Sequence, residues 1–490
     1  MRQAIDSLLL RLTGPLPLHE QIYAGLRERI LNGDLPRGAR LPSSRQLSAQ
    51  LGVARSTVLQ ALDALQAEGY LIARAASSTR VAPELPEELQ RPKPAQAAKL
   101  IKPPRLSVAA RALATLPQGA PKLGATPRAF RPGVPALDLF PTALWSRLLA
   151  RESTRASAGL LGGSDPAGNQ ALREAIALHV SAARGVRCDA GQVFITAGTQ
   201  QAFEQTAALI LDPGDAAWLE EPGYLGARHA LVAAGARVVP VPVDERGIDV
   251  TAGIARAPDA KLIMLTPSHQ YPLGITTSLT RRLQLLAFAA KARAVIVEDD
   301  YDSEFRHRGR PLMALQGLDE SSCVVYVGTF GKTMFPGLRL GFFIAPDALA
   351  FAFTRMRSMV PAPVSAIDQA ALARFISDGH FATHLRRMRS VYRERCEALL
   401  AALRADCAGA LTPHPSETGM QLWAELHEDL PDTRVRDEAA ARGVETSAVS
   451  DYFAGRPRQN GLVLGFGCVR PQQMRTGTQR LMQAIEAVRR

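Results

Sequence analysis

Apolar residues recur every four positions through Leu18, Ile22, Leu26 and Ile30, with Gly33 as a stop, and this spacing predicts a first helix. A turn rich in Pro and Gly over residues 35–42 separates it from Ser43-Ser44-Arg45-Gln46, where Ser43 and Gln46 have capping-box spacing. The short helix that opens there ends near Gln50-Leu51-Gly52-Val53. A second starts at Ala54 or Arg55, puts Val58, Ala61, Leu62 and Leu65 on one face, and stops at Gly69. Tyr70-Leu71-Ile72 and Thr79-Arg80-Val81 then read as strands of a β-wing with Arg74 at its tip. Two short helices joined by a glycine turn predict a helix-turn-helix. In that arrangement Arg55, Ser56 and Thr57 open the helix that faces base edges, while Ser44 and Arg45 meet phosphate.

Periodicity lapses over residues 84–128. This stretch holds eight prolines and no aromatic residue, so it is expected to be a semi-extended tether. Within it, residues 109–116 are the part with a helical pattern.

From Phe130 the apolar positions thicken. Residues 130–151 read as a wrapping arm and a first helix; after a turn at residues 163–168, an amphipathic helix spans 170–181. Short apolar runs follow at 192–196, 217–219, 237–243, 262–265, 294–297 and 324–327, with helical stretches between them. Near-continuous apolar strands alternating with helices predict a mostly parallel sheet covered on both faces. The polar clusters fall at the carboxyl ends of these runs, where open α/β sheets bind ligands.

Those clusters suit one chemistry. Lys332 stands on a tight Gly/Thr turn, ahead of a second apolar strand expected to carry Arg339. An aldehyde-bearing pyridine needs a Schiff-base lysine, a carboxylate for its ring nitrogen, a donor to its ring oxygen, a stacking face and a phosphate cup. Lys332, Asp299, Tyr301 and Tyr224 supply the first four; Gly198, Thr199, Thr329 and Arg339 supply the cup. Singly, each has an ordinary explanation as a helix cap, a packing residue or a surface charge. Jointly, at successive strand ends, they point to one cofactor.

Charge adds a partner. Of the net +12, residues 1–83 hold 10 Lys/Arg against 6 Asp/Glu and residues 84–128 hold 8 against 3, which makes a basic head on a nearly neutral body. Such a head suits a polyanion. Five cysteines without CxxC spacing argue for reduced thiols and against zinc, and no apolar stretch approaches a membrane span. With no cleavable leader at the N-terminus, the expected location is cytoplasmic.

Residues 17–71 closely resemble the winged-helix head of the GntR family. The strings EEPGY, TPSHQYPLG, VEDDYDSEF and GTFGKTMFPGLRLGF are similar to those of MocR-type (GabR-like) regulators, which fuse that head to a fold-type I aminotransferase body. The resemblance implies a winged head over residues 1–83, a linker over 84–128 and an α/β aminotransferase-like body over 129–490, with a smaller C-terminal α+β subdomain. It implies pyridoxal 5'-phosphate held as an aldimine on Lys332, with Asp299 at the pyridine nitrogen, Tyr301 at the ring oxygen and Arg339 at the phosphate. It also implies a homodimer in which each head lies over the partner's body.

This sequence departs from that family in several places. Ala54 stands where a capping serine is usual, and Ser77-Ser78-Thr79 replaces the wing's Gly-x-Gly. Gly331 replaces a serine before the lysine, and Tyr271 replaces the ring-contacting asparagine of catalytic aminotransferases. Gly226 stands where the γ-aminobutyrate-sensing member has an arginine, which leaves Arg228 and Arg470 as loose candidates for an effector carboxylate. The expected function is a DNA-binding transcription regulator that senses an amino compound, or the cofactor itself, through Lys332. The alternatives are a working aminotransferase with a DNA-binding head and a DNA-binding protein whose body only dimerises.

Overall fold

The computed structural model of the chain describes residue 10 and residues 12–74, 78–86, 105–117, 128–162, 165–306, 312–359 and 364–490. It divides into two compact units, Met1–Arg105 and Leu106–Arg490, and the division falls inside the proline-rich stretch.

The first unit runs α1 (Leu18–Asn32), α2 (Ser44–Leu51), α3 (Arg55–Ala67), β1 (Leu71–Arg74) and β2 (Ser78–Val81). Ile22, Leu26 and Ile30 of α1 pack with Val58, Ala61, Leu62 and Leu65 of α3 around Leu47. Leu18, predicted for the same face, is instead 46% exposed, because it opens the helix a full turn ahead of the first residue that reaches this core. The capping box forms: Ser43 N donates to Gln46 Oε1 at 2.9 Å, and Gln46 N to Ser43 Oγ at 3.3 Å. Gly52 closes α2 at φ 66°, in the left-handed region that glycine enters without strain. Ala54 precedes α3 with no side-chain cap. β1 and β2 pair antiparallel, Leu71 opposite Val81. The wing tip, most of the linker prolines, and Gly163 and Ser164 lie outside the described residues.

In the second unit the strands are β3 (Val193–Thr196), β4 (Ala216–Glu221), β5 (Arg237–Asp244), β6 (Gly247–Ile248), β7 (Leu262–Leu265), β8 (Val295–Asp300), β9 (Val324–Thr329) and β10 (Gly341–Ile344). They form one sheet in the order β3-β10-β9-β8-β7-β4-β5-β6. The run from β9 to β5 is parallel throughout, and β10 lies antiparallel between β9 and β3. A four-stranded antiparallel sheet follows, in the order β11 (Leu411–His414), β12 (Gln421–Leu426), β14 (Gly461–Gly465), β13 (Ser447–Ala448). Helices His380–Asp406 and Pro471–Arg489 pack on each other and share its core. This is the α/β body with a smaller α+β part that the sequence predicts.

Two local expectations are corrected. Lys332 sits in a one-turn helix, Phe330–Thr333, rather than a plain turn. Arg339 is not on a strand: Pro336 opens a 3-10 turn, Pro336–Leu338, which ends on Arg339 at φ 51°, two residues ahead of β10. In the linker, helix Val108–Leu113 is capped by Ser107, whose Oγ accepts from Ala110 N at 3.0 Å, and it packs on helix Leu225–Ala233. Among the described residues no helix is long and apolar enough to cross a membrane.

Candidate functional site

Strand alternation decides what reaches the carboxyl edge of the sheet. β8 ends in Glu298-Asp299-Asp300, whose side chains leave opposite faces in turn. Asp299 faces a cavity of about 250 Å³. Glu298 instead accepts from Leu315 N at 2.8 Å and Gln316 N at 2.9 Å. Asp300 accepts from Arg184 Nε at 2.7 Å and from the Tyr326 hydroxyl at 2.6 Å. The adjacent aspartates therefore shift in opposite directions. Burial raises the Asp299 pKa well above the ordinary range, and the charges of Asp300 and Asp302 add to it. Asp300 is just as buried, and burial alone would raise it, but the Arg184 charge together with hydrogen bonds from Ser303, Tyr326 and Arg184 holds it low. Asp299 Oδ1 is buried with no hydrogen-bond partner among the described residues.

All eight residues predicted to hold the cofactor line this one cavity. Lys332 is half-buried; its Nζ donates to the Gly133 carbonyl at 2.8 Å. Burial lowers its pKa, against the pull of Asp302 and Asp299, which favours the free amine that nucleophilic chemistry needs. At the other end, Gly198 (φ 106°) leads into helix Thr199–Ile210, whose first backbone amides suit an anion. Thr329 Oγ1 accepts from Gly331 N at 3.1 Å, and Arg339 completes that end. Tyr224 stands edge-on to Tyr271, with ring centroids 5.7 Å apart, and burial pushes its phenol up to about 12.

Tyr301 brings a network that sequence reasoning missed. Its hydroxyl lies 3.0 Å from His269 Nδ1, which is 2.8 Å from Asp302 Oδ1, and His269 Nε2 lies 3.1 Å from Ser416 Oγ. His269 and Asp302 belong to the strings TPSHQYPLG and VEDDYDSEF, so their signal was present. Gly133 and Gln421, which also line the cavity, had none: the N-terminal arm and β12 deliver them from far along the chain. The loose carboxylate candidates are elsewhere. Arg228 donates to Phe453 O at 3.1 Å, Arg470 pairs with Asp138 at 3.0 Å, and neither lines the cavity.

In the first unit, Arg45, Arg55 and Ser56 are exposed, and Ser44 and Thr57 are half-buried. Arg55 Nε donates to Ser44 Oγ at 3.1 Å, which joins the starts of α2 and α3.

The cavity fits pyridoxal phosphate. The orphaned, buried Asp299 oxygen suits the cationic N–H that a pyridinium carries, and a lysine amine and the N-terminal amides of a helix line the same cavity, the groups an aldehyde and a phosphate call for.

Comparison with known proteins agrees. The aminotransferase class I and II family profile matches residues 142–448, and that of the bacterial regulatory proteins of the gntR family matches residues 18–81. The chain is 41% identical to the probable rhizopine catabolism regulatory protein MocR of Rhizobium meliloti, over 98% of this chain and 96% of that one. It is 32% identical to the pyridoxine biosynthesis transcriptional regulator PdxR of Corynebacterium glutamicum, over 92% of each. Among solved structures, the α-aminoadipate aminotransferase LysN of Thermus thermophilus, complexed with N-(5'-phosphopyridoxyl)-L-leucine, superposes with a TM-score of 0.68. It is 28% identical, and the match covers 78% of this chain and 95% of that one.

Proposed function

This chain belongs to the MocR-type transcription regulators, a GntR-family DNA-binding head joined to an aminotransferase class I and II body, and from that premise we propose how its cavity serves its head. The cavity is the sensor, and Lys332 is the residue that reports. When bound, pyridoxal phosphate supplies an aldehyde carbon open to amines and a ring that draws electrons. Asp299 holds the ring nitrogen, and the charge it meets there relieves the burial that otherwise protonates it. Tyr301 donates to the ring oxygen, steadied by His269 and Asp302. Tyr224 stacks on the ring, while Gly198, Thr199, Thr329 and Arg339 hold the phosphate.

With the cofactor bound, Lys332 would be its point of attachment, and an amino compound would compete for that place; a Lys332 amine left free would lie against the Gly133 carbonyl, as it does here, with a different charge and packing between the arm and the sheet. The signal is an amino compound or the cofactor itself; a relative named for pyridoxine biosynthesis supports the second. The protein works in the cytoplasm as a homodimer in which each head lies over the partner's body. Arg55, Ser56 and Thr57 read operator bases, and Ser44 and Arg45 hold phosphates. A shift between two dimer arrangements then alters the spacing of the heads.

The observation that carries this reading is the orphaned Asp299 oxygen opposite Lys332, in a chain that also holds a winged helix. The test is Lys332→Ala. The purified wild type should bind pyridoxal phosphate with visible absorbance, and the variant should lose that band while still retarding its upstream DNA. An unchanged spectrum would remove Lys332 from the site. Steady turnover of an amino acid with a 2-oxo acid at enzyme-like rates would favour the aminotransferase reading instead.

A further inference from the structure

We infer that His269 sets the direction in which Tyr301 gives its proton. Asp302 fixes a proton on His269 Nδ1, so the Tyr301 hydroxyl can accept from that nitrogen but not donate to it, and its own proton is turned to the cavity. His269 is a positioning residue in this, acting through Tyr301. The inference rests on the sensor reading above and adds the group that keeps Tyr301 a donor.

Both oxygens of Asp302 lie against Nδ1, Oδ1 at 2.8 Å and Oδ2 at 3.0 Å, and both residues are buried. A carboxylate only accepts, so the proton between them belongs to the nitrogen. Without that N–H, Asp302 would be a buried charge with nothing to meet it, which is strongly unfavourable. The far side of the ring does not alter this. Nε2 lies 3.1 Å from Ser416 Oγ, which also lies 2.7 Å from the Thr418 carbonyl. If the serine proton goes to Thr418, Nε2 carries a proton of its own; if it goes to Nε2, the ring is neutral. Nδ1 is protonated in both cases.

The Tyr301 hydroxyl lies 3.0 Å from the same nitrogen and finds no lone pair there. Burial, with the charge of Asp302 adding to it, raises the Tyr301 pKa well above ordinary, so the phenol keeps its proton. Tyr301 lines the cavity with Asp299 and Lys332, and a phenol that donates there is what a ring oxygen requires.

The pair is also walled in. Gly419, at φ 81° in the connection between β11 and β12 that carries Ser416, lies so close that a Cβ on it would fall on Asp302 Oδ2. From the other side, a Cβ on Gly274 would come within 3.3 Å of His269 Nε2. The smaller sheet therefore holds the imidazole in the orientation that Tyr301 needs.

Two tests apply to the full-length protein. The first needs no cofactor. Long-range proton–nitrogen NMR with isotope-labelled histidine at neutral pH should show His269 Nδ1 protonated, its signals assigned by their loss in His269→Asn. An unprotonated Nδ1 overturns the inference. The second follows titration with pyridoxal phosphate and the visible spectrum of the loaded protein. His269→Phe should weaken half-saturation about fivefold and shift the visible band in the same direction as Tyr301→Phe does. Made in the Tyr301→Phe background, the same replacement should cost less than about twofold. His269→Asn, whose amide nitrogen reaches the Nδ1 position and donates to Asp302, should keep the wild-type band, whereas His269→Gln, whose amide lies nearer Nε2, should not. That pair carries the comparison should His269→Phe not fold. Equal losses in both backgrounds, or better rescue by Gln than by Asn, would reduce His269 to packing and overturn the inference. A wild type that takes up no cofactor would instead overturn the sensor reading, and the NMR measurement would still decide where the proton sits.

Discussion

The Lys332 amine donates to the carbonyl of Gly133 at 2.8 Å across 199 residues of sequence, and Gly133 is held at φ 69°. A Cβ there would fall on Lys332 Nζ itself. The arm therefore meets the lysine at a point where glycine is required both for its backbone and for the space it leaves.

Gly133→Ala should accordingly damage cofactor loading more than folding. The left-handed backbone adds roughly 1–2 kcal/mol of strain, and the methyl displaces the amine. Equilibrium titration with pyridoxal phosphate should show at least a tenfold weaker half-saturation, with far-ultraviolet dichroism and DNA retardation preserved. Unaltered loading would mean that the arm does not constrain Lys332.

Gly331 offers the opposite change. It has no left-handed backbone, and a Cβ built on it meets Thr329 Oγ1 at 3.4 Å and Pro336 Cα at 3.8 Å, so a small side chain has room. Gly331→Ser places a hydroxyl beside the phosphate end. One added charge-assisted hydrogen bond, worth about 1 kcal/mol net, should tighten cofactor binding roughly fivefold. Weaker binding in the same titration would show that the cup is already full.

The site was legible where local sequence and strand alternation act together. Asp299, Tyr301 and Lys332 lie at the ends of adjacent strands β8 and β9, so reading the apolar runs correctly was enough to bring them together. Arg339 was assigned the right cavity but the wrong backbone, because the turn opened by Pro336 ends in a left-handed residue that no periodicity announces. Gly133 and Gln421 were invisible, since nothing local says that an arm residue and a strand of the smaller sheet close over a lysine 199 and 89 positions away. In the head, the bounds of α2 followed from its capping box and Gly52, whereas the bond between Ser44 and Arg55 depends on how two helices cross.

That bond sets the expectation for Arg55→Ala. Arg55 is exposed and its Nε is fixed by Ser44, so the guanidinium is partly preorganised for a groove. Loss of a base contact should cost about 1–3 kcal/mol of operator affinity and relax the sequence preference at one position, with no change in the cofactor's absorbance. Gel retardation against operator and scrambled DNA separates the outcomes. An equal loss on both would reassign Arg55 to phosphate, and intact operator binding would remove it from the interface.

Glu220 gives the pH dependence. It is buried at the end of β4, where Oε2 accepts from Thr266 N at 3.0 Å and Thr266 Oγ1 at 2.8 Å while Oε1 has no partner among the described residues. Burial raises its pKa to about 7, with the Thr266 hydrogen bonds opposing. Between the ordinary glutamate value of 4.5 and about 7 the unfolded chain releases this proton and the folded chain keeps it. Stability must therefore fall as pH rises through that window and level off above it. At about 1.4 kcal/mol for each pKa unit the loss is on the order of 3 kcal/mol. Glu220→Gln keeps an acceptor for Thr266 and cannot ionise. Its melting temperature should exceed that of the wild type at pH 8 by several degrees and match it within a degree or two at pH 5. Glu220 also sits behind Asp299, whose pKa its charge raises, so the same variant should make cofactor binding less dependent on pH between 6 and 8. Parallel melting curves for the two proteins at pH 5 and pH 8 would show the carboxyl to be already ionised in the fold.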